Sequence, residues 1–563
     1  MDNSSAARRI LVCVAWPYAK SSTHVGQIVG AVLPGDIFAR YHRLAGNDVL
    51  MVSGSDMHGT PITVDADKEG VTPQALANRY HQQILEIWRR LGISFDLYTT
   101  TTTANHYRQT QTFFLRLLEK GYIFKDTMES PFCPVDERFL PDRYVEGTCP
   151  YCGFERARGD QCDNCGRTLD PTQLIAPSCR LCGSRAVEIR PTEHFFLDLP
   201  QFERPLRQWL QTSKEHWRPN VLNFALNWIK EGLRPRAITR DLDWGVPIPL
   251  PGFEDKRIYV WFDAVIGYLS ASIEWAEQSG DPSAWQRWWV RRPDGSDPAR
   301  SYYFIGKDNI AFHTIIWPAL LMGVGGLALP YDVPANEYMT MGGSKASSSR
   351  GNVIWTTDVL DLYGADPLRF YLTSTMPEGH DTDFTYAELV RRNNDELVAT
   401  YGNAVHRVLT FAQRHFDARA PQPGRLTAAD AAMLDRVQSA FATTAQAIEQ
   451  VRLRDALGEA MAVARAANRY LDERAPWKAI KSDRERAATT IYIMLQVLNG
   501  LKVLFAPVLP FSSQQLHTLL GFQGDVMSSR WEPQPVPADQ SLPIPMPLFA
   551  KFDLPSEADE QPA

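Results

Sequence analysis

No basic segment followed by an apolar one opens this chain: MDNSSAARR leads directly into a strand-like run, so no secretory leader is expected. No uninterrupted apolar run approaches the roughly twenty residues that a membrane crossing needs, and no internal repeat is visible. Positive charge is not in excess either, since 58 Lys and Arg face 65 Asp and Glu for a net charge of −7. These absences point away from secretion, membrane insertion and indiscriminate nucleic-acid binding, and toward a cytoplasmic protein whose basic groups act locally. Cysteine is scarce and unevenly placed. Cys13 reads as a small buried apolar residue, while the other seven of the eight lie between 133 and 182, a clustering that favours metal over disulfides in a reducing compartment.

What is present is a chain of 563 residues, 44% hydrophobic and 22% charged, long enough for three or four globular domains. Its organising stretch is RILVCVAWPYAKSSTHVGQ, residues 9–27. Ile10 to Ala15 reads as a buried parallel strand, Trp16-Pro17 breaks it, and a helix begins near His24. A strand, a loop and a helix N-terminus place free N–H groups over the strand's carboxyl edge, where phosphate binds well. Pro34 is expected to kink or divide the helix that follows. A second apolar run, Val49 to Ser53, ends in Gly54-Ser55-Asp56-Met57-His58-Gly59-Thr60, and a right-handed βαβ unit would turn His24 and Asp56 toward one crevice. Pro73 to Leu91 and Thr103 to Lys120 read as helices covering one face of the sheet.

From Tyr122 to about Leu242 turn-rich, cysteine-rich sequence interrupts the alternation as an inserted module. Cys149-x-x-Cys152 and Cys162-x-x-Cys165, each followed by glycine, have the spacing of two knuckles closing on one structural, tetrahedral zinc. Cys179-x-x-Cys182 lacks a CxxC partner, but Cys133-Pro-Val-Asp136 offers a thiolate and a carboxylate at the same spacing. A ribbon starting at Phe132 and returning at Arg180 would unite them as a second zinc site. Alternation resumes with Arg257 to Phe262 as a strand, a helix from Asp263, a strand over Ser301 to Ile305 ending at Gly306-Lys307-Asp308-Asn309, and a helix over Ala311 to Leu321. A Gly-, Ser- and Lys-bearing loop, 342–352, follows. Beyond Asp358 the amphipathic stretches 387–415, 427–449, 453–472 and 486–505 predict a helical bundle. Between 391 and 500 it carries 16 Lys and Arg against 12 Asp and Glu, and the Pro-rich, acidic tail from Arg530 is expected to wrap loosely or be disordered.

The expected architecture is thus α/β: a Rossmann-type parallel-sheet domain split into 1–120 and 242–330 by a connective module at 121–241, then a loop and stem-contact region at 331–387 and an α-helical domain at 388–563. HVGQ, GSDMHGT, VWFDAVIGY, FIGKDNIAFHTIIWPA and KASSSRGN stand in the order and spacing of one family, and the chain resembles the class I methionyl-tRNA synthetases from about Arg9 to Pro510. HVGQ stands in the HIGH signature with glutamine for its last histidine; KASSS stands in the KMSKS loop with serine for its second lysine. The resemblance implies ATP-dependent activation of methionine and transfer to tRNA(Met). It implies catalytic roles for His24, Gly26, Gln27, Lys345 and Arg350, and ATP contacts from His24, Gly306, Lys307, Asp308, Lys345 and Ser348, with Mg²⁺. Asp56 would hold the methionine ammonium, and Trp16, Tyr18, Trp261, Ala264, Tyr268, Phe312, His313 and Trp317 would form the rest of the amino-acid pocket. Asn403, Arg407, Pro476 and Trp477 would read the anticodon. Some relatives carry two zincs in the module; others have a C-terminal dimerisation extension with no counterpart here, so a monomer is expected. Two alternatives stay open: a class I synthetase for another apolar amino acid, and a catalytically weak tRNA-binding relative.

Overall fold

A computed structural model describes residues 7–554 except 160, 161, 163, 166, 168, 213 and 346–352. Its first half is built on β1 (Arg9–Val14), α1 (Leu33–Leu44), β2 (Asp48–Ser55), α2 (Pro73–Leu91), β3 (Leu97–Thr100) and α3 (Ala104–Glu119). β4 (Ile123–Cys133) and β5 (Glu188–Leu197) form the long ribbon of the inserted module, and α4 (Pro219–Lys230) and α5 (Val260–Gln278) lead back to β6 (Arg300–Gly306) and β7 (Ala335–Asn336). The parallel sheet runs β7-β6-β1-β2-β3. β1 is apolar from Ile10 to Val14 because both of its faces are covered there: Ile10, Val12 and Val14 point into one core, Leu11 and Cys13 into the other.

Two expectations about this half change. α2 and α3 do not share a face: Ile84, Ile87 and Leu91 pack with Ile10 and Val12, whereas Phe113, Phe114 and Leu117 pack with Leu11 and Cys13. β3 passes between the two helices in the chain and carries it to the other side of the sheet. Nor is 257–262 a strand of that sheet. Only Arg257–Ile258 is extended, in a small antiparallel sheet, and α5 begins at Val260, so Trp261 and Phe262 are helical. A short apolar run cannot by itself distinguish a strand from the first turn of a buried helix.

The helix is divided at Pro34, as the sequence leads one to expect. The turn before it, Ile28–Val32, widens to a π-helix in which Leu33 N–H bonds to Ile28 C=O, and Pro34 enters in the first turn of α1. Proline has no N–H for the carbonyl four residues back and its ring crowds that carbonyl; a wider turn relieves both. The same device recurs after β6, where Phe312–Ile316 is π-helical, Trp317 N–H bonds to Phe312 C=O and Pro318 follows. Such turns occur often at functional sites.

The C-terminal part contains α6 (Ala365–Ser374), α7 (Asn403–His415), α8 (Ala428–Glu449), α9 (Leu453–Arg474), α10 (Arg484–Phe505) and α11 (Pro510–Leu519). α10 is long and apolar enough on average to cross a membrane, although Gln496, Asn499 and Lys502 interrupt its apolar run, and it is almost wholly buried among the other bundle helices. Over its described residues, 530–554, the tail is not loose; 555–563 lie outside the described residues. Gln496 exchanges hydrogen bonds of 2.8 and 2.9 Å with the Val536 backbone, Asn499 donates to Gln534 C=O, Asn394 pairs with the Phe552 backbone, and Trp531 Nε1 donates to Phe441 C=O. A proline-rich strand cannot pair with itself, so bundle amides supply its partners.

One side chain ties the sheet to the bundle. Arg369 on α6 is fully buried and donates to Asp36 of α1 (2.7 Å), Leu91 C=O at the end of α2 (3.2 Å), Pro507 C=O (2.8 Å) and Val508 C=O (2.7 Å). Burial alone would raise the Asp36 pKa, but Arg40, Arg369 and the Ser94 hydrogen bonds outweigh it and hold the carboxylate at about 2. Removing one partner of such a buried pair costs about 3–5 kcal/mol. Arg369→Leu is therefore expected to lower thermal stability by that order, with Arg369→Lys intermediate, as read by thermal denaturation; a variant melting with the wild type would show that the cluster does not hold the domains together.

Candidate functional site

The carboxyl ends of β1, β2 and β6 open onto one cavity of about 1300 Å³. From β1 it receives Trp16, Tyr18, His24, Gly26 and Gln27; from β2, Asp56; from α5, Trp261, Ala264 and Tyr268; and from the segment after β6, Gly306, Lys307, Asp308, Phe312 and His313. Trp317 is not among its walls. It is fully buried beneath them, stacked on Phe113 with its Nε1–H donated to Tyr303 Oη, because the π-turn before Pro318 rotates it into the core.

His24 stands just before the first helical turn, and its backbone N–H donates to Gln27 Oε1 at 3.0 Å. Glutamine at this position therefore caps the helix that histidine would otherwise begin. A Cβ on Gly26 would lie 3.0 Å from His24 Nδ1, so the imidazole needs glycine beneath it. Burial, aided by Lys20, lowers the His24 pKa to about 4, leaving the ring neutral near pH 7. Val25 N–H bonds to Ile354 C=O and Thr356 N–H to Thr23 C=O, so the chain just after the glycine-rich loop is laced to the His24 turn. Before the loop, Ser344–Lys345 pairs with Thr340 and Met341. Lys345 is described as backbone only, and Ser348 and Arg350 lie outside the described residues.

Trp16 is accommodated by absent side chains. A Cβ on Gly54 would come within 2.1 Å of its ring and one on Gly267 within 2.8 Å, so the indole lies in a slot between β2 and α5. Tyr268 Oη lies 2.7 Å from His313 Nε2, while His313 Nδ1 faces Asn309 C=O at 2.9 Å. A carbonyl only accepts, and burial lowers the His313 pKa to about 4; Nδ1 therefore carries the proton and Tyr268 O–H donates to Nε2. Lys307 is held by Glu337 (2.7 Å) and Asp381 (2.8 Å), and Asp308 accepts from Tyr338 O–H.

The deepest part of the site is acidic. Asp56 and Asp263 are both buried, and His58 joins them: its backbone N–H donates to Asp56 Oδ1 (3.1 Å) and its Nδ1 lies 2.8 Å from Asp263 Oδ2. Among the described residues neither carboxylate pairs with Lys or Arg. Burial first, and for Asp56 also the neighbouring charge of Asp263, push these carboxyls well above their usual range. Sequence reasoning assigned nothing to Asp263 and His58, although an acid inside the apolar run VWFDAV was a signal for a buried partner.

In the module, ligand atoms of Cys149, Cys152, Cys162 and Cys165, and of Cys133, Asp136, Cys179 and Cys182, form two clusters, each within 4.8 Å. Sulfur separations of 3.6 Å (Cys152 to Cys162), 3.9 Å (Cys149 to Cys165) and 3.6 Å (Cys133 to Cys182) match the ~3.8 Å edge of a tetrahedron with bonds of about 2.3 Å to zinc. Backbone N–H groups of Tyr151, Asp136 and Leu181 point at the first sulfur of their turns. Both donor sets thus fit zinc. The ribbon closing the second site differs from expectation: Phe132 pairs with Glu188, and Cys179 arrives from a separate sheet through Val145.

On the bundle, the Arg407 guanidinium lies 4.6 Å from the centre of the Trp477 ring and also binds Asp472 at 2.8 Å. Trp477 is 37% exposed, Pro476 is buried, and Asn403 is exposed one turn before Arg407.

A family model described as tRNA synthetases class I (M) matches residues 10–409, and one described as the anticodon binding domain of methionyl tRNA ligase matches 420–560. The chain is 54% identical over 580 residues to a methionine–tRNA ligase of Roseiflexus sp. (strain RS-1), covering 98% of each, and 56% identical over 547 residues to one of Dehalococcoides mccartyi (strain CBDB1), covering 97% and 98%. Among solved structures it resembles Mycobacterium tuberculosis methionyl-tRNA synthetase in complex with methionyl-adenylate, with TM-score 0.80, 26% identity, and coverage of 96% of this chain and 99% of that one.

The acidic floor has a measurable consequence. Raised carboxyl pKa values mean that, above about pH 4, the folded ligand-free protein binds more protons than the unfolded chain, so stability falls as pH rises toward the raised values. Asp56→Asn removes one of the two charges and is expected to stabilise the ligand-free protein at alkaline pH by about 1–3 kcal/mol, the gain vanishing near pH 4. Thermal melts of both proteins across pH check this; a pH-independent difference would contradict the missing counter-charge.

Proposed function

This chain belongs to the methionyl-tRNA synthetases, and we propose that the cavity described above divides their two-step reaction among its residues as follows. The enzyme is a methionine–tRNA ligase. In the first step a methionine carboxylate oxygen attacks the α-phosphorus of ATP; the new P–O bond replaces that to the β-phosphate, and pyrophosphate leaves. In the second, a hydroxyl of the terminal ribose of tRNA(Met) attacks the carbonyl carbon of the mixed anhydride, forming the ester, expelling AMP and losing its proton.

The observation that carries the division is the pairing of Asp56, a buried carboxylate without a cation of its own, with the aromatic walls Trp16, Trp261, Tyr268 and Phe312. Such a site asks for an ammonium on an apolar, polarizable side chain. His58, itself fixed by Asp263, keeps Asp56 in place. Neutral His24 and the helix N-terminus receive the reacting phosphates, with Lys345 and Arg350 adding positive charge and Mg²⁺ arriving with ATP. Gly306, Lys307 and Asp308 hold the adenosine. No protein nucleophile is needed, because positioning and charge stabilisation suffice. On the bundle, Trp477 stacks an anticodon base while Asn403 and Arg407 bond to its edges. Both cysteine clusters hold structural zinc. We read the enzyme as a cytoplasmic monomer.

ATP–pyrophosphate exchange tests this reading. Methionine, run beside leucine, isoleucine, valine and cysteine, is expected to be the substrate that supports rapid exchange, and Asp56→Ala to lose roughly 2–5 kcal/mol of it. Exchange by the variant within about threefold of wild type would dismiss Asp56 as the ammonium partner. Metal analysis of the purified protein is expected to return two zincs per chain and one in Cys179→Ser; a wild-type content of one would remove the second site.

A further inference from the structure

The cavity extends well past the residues assigned to methionine and ATP. Its volume exceeds the few hundred to a thousand cubic ångströms usual for a small-molecule site, and its outer arm runs along α4. That helix buries Val221, Ala225 and Ile229 on one stripe and turns Phe224 and Trp228, one turn apart, toward the cavity. Phe224 is 45% exposed, and the two rings meet edge to face at 6.4 Å. Arg236 also lines this arm, its guanidinium 5.6 Å from the Trp228 ring, and makes no ion pair among the described residues. Arg234 stands two residues before it; Arg240 is engaged with Asp142, and Glu231 is an acid at the rim. α4 is firmly seated: Arg218 at its start donates to Ala335 C=O and Asn336 Oδ1, both at 2.7 Å, and to Val451 C=O.

Exposed aromatic faces beside a cation without a carboxylate partner suit a base and a phosphate together. We propose that Phe224 and Trp228 form a stacking platform for the unpaired 3′-terminal nucleotides of tRNA, with Arg236 taking a phosphate, so that the terminal ribose is delivered over the bound adenylate. The proposal rests on the two-step reaction above: the second step needs an unpaired 3′ end inside this cavity, and the α4 arm is continuous with the pocket that holds the adenylate. Bases stack on such platforms with little regard for sequence, which suits an end shared by all tRNAs.

The test uses tRNA(Met) with 2-aminopurine in place of the terminal adenine. Its fluorescence is expected to be quenched on binding the wild-type enzyme. Phe224→Ala/Trp228→Ala should abolish the quench and slow transfer from preformed methionyl-adenylate ten- to hundredfold while leaving ATP–pyrophosphate exchange unchanged. Trp228→Phe should restore most of both effects. Trp477→Ala, acting at the anticodon, should weaken tRNA affinity yet keep the quench at saturating tRNA. Unchanged quench and transfer in the double variant would overturn the platform; so would a parallel fall in exchange, which would make α4 a wall of the adenylate site. A wild-type enzyme that forms no methionyl-tRNA would instead overturn the functional reading itself.

Discussion

Arg369 is buried without any contact with solvent, and its polar contacts reach three different parts of the fold. A guanidinium removed from water is unfavourable unless its charge and its fork of donors are both met. Asp36 meets the charge, and the carbonyls of Leu91, Pro507 and Val508 meet the fork. The benefit runs both ways: Leu91 closes α2, so its carbonyl has no helical partner and would otherwise be buried unpaired. Because the acceptors lie on α1, α2 and the turn between α10 and α11, a single side chain fixes how the nucleotide-binding sheet meets the bundle. Recognition on the bundle and chemistry in the crevice therefore sit on one framework.

Within that framework the crevice follows one geometric plan used twice. β1 and β6 lie side by side in the sheet, each ends in a polar turn over the cavity, and each is followed by a π-turn and a proline. His313 lies within the second wide turn, whereas His24 faces the cavity from the extended residue that precedes the helix. Both histidines are kept neutral by burial, and burial makes the neighbouring Asp56 and Asp263 carboxyls costly to ionise where no cation faces them. Glycine does the complementary work for Trp16, since Gly54 and Gly267 leave the space in which a large ring can lie flat against the sheet.

The module between the sheet halves has a separate small core, in which Cys133, Cys149, Cys162 and Cys179 pack with Leu140, Tyr144 and Val145. So few apolar residues stabilise little, and two clusters whose donors could hold a metal ion stand in the same module. The β4–β5 ribbon carries the module out from the sheet, while α4 and α5 return the chain to it. The cavity thereby acquires a second wall, the aromatic face of α4, that the sheet alone could not provide.

Much of this was legible in the residues. The buried strand before His24, the paired knuckles, the helices at 73–91 and 428–449 and the gathering of His24, Asp56 and Gly306 on one edge follow from local rules: apolar period, turn chemistry, ligand spacing and the handedness of βαβ units. The local rules failed where a residue's surroundings come from distant chain. Whether Trp261 begins a helix, whether Trp317 lines the cavity or lies beneath it, and whether a proline-rich tail is ordered depend on partners tens to hundreds of residues away. The pairing of Asp36 with Arg369, 333 positions apart, is of the same kind. Sequence by itself determined the family, the order of the elements and the chemistry available to the site. Tertiary structure decided which groups lose water, because burial depends on what packs against a residue from elsewhere in the chain. Desolvation in turn makes His24 neutral, leaves Asp56 short of a counter-charge and requires Arg369 to satisfy every neighbour it has.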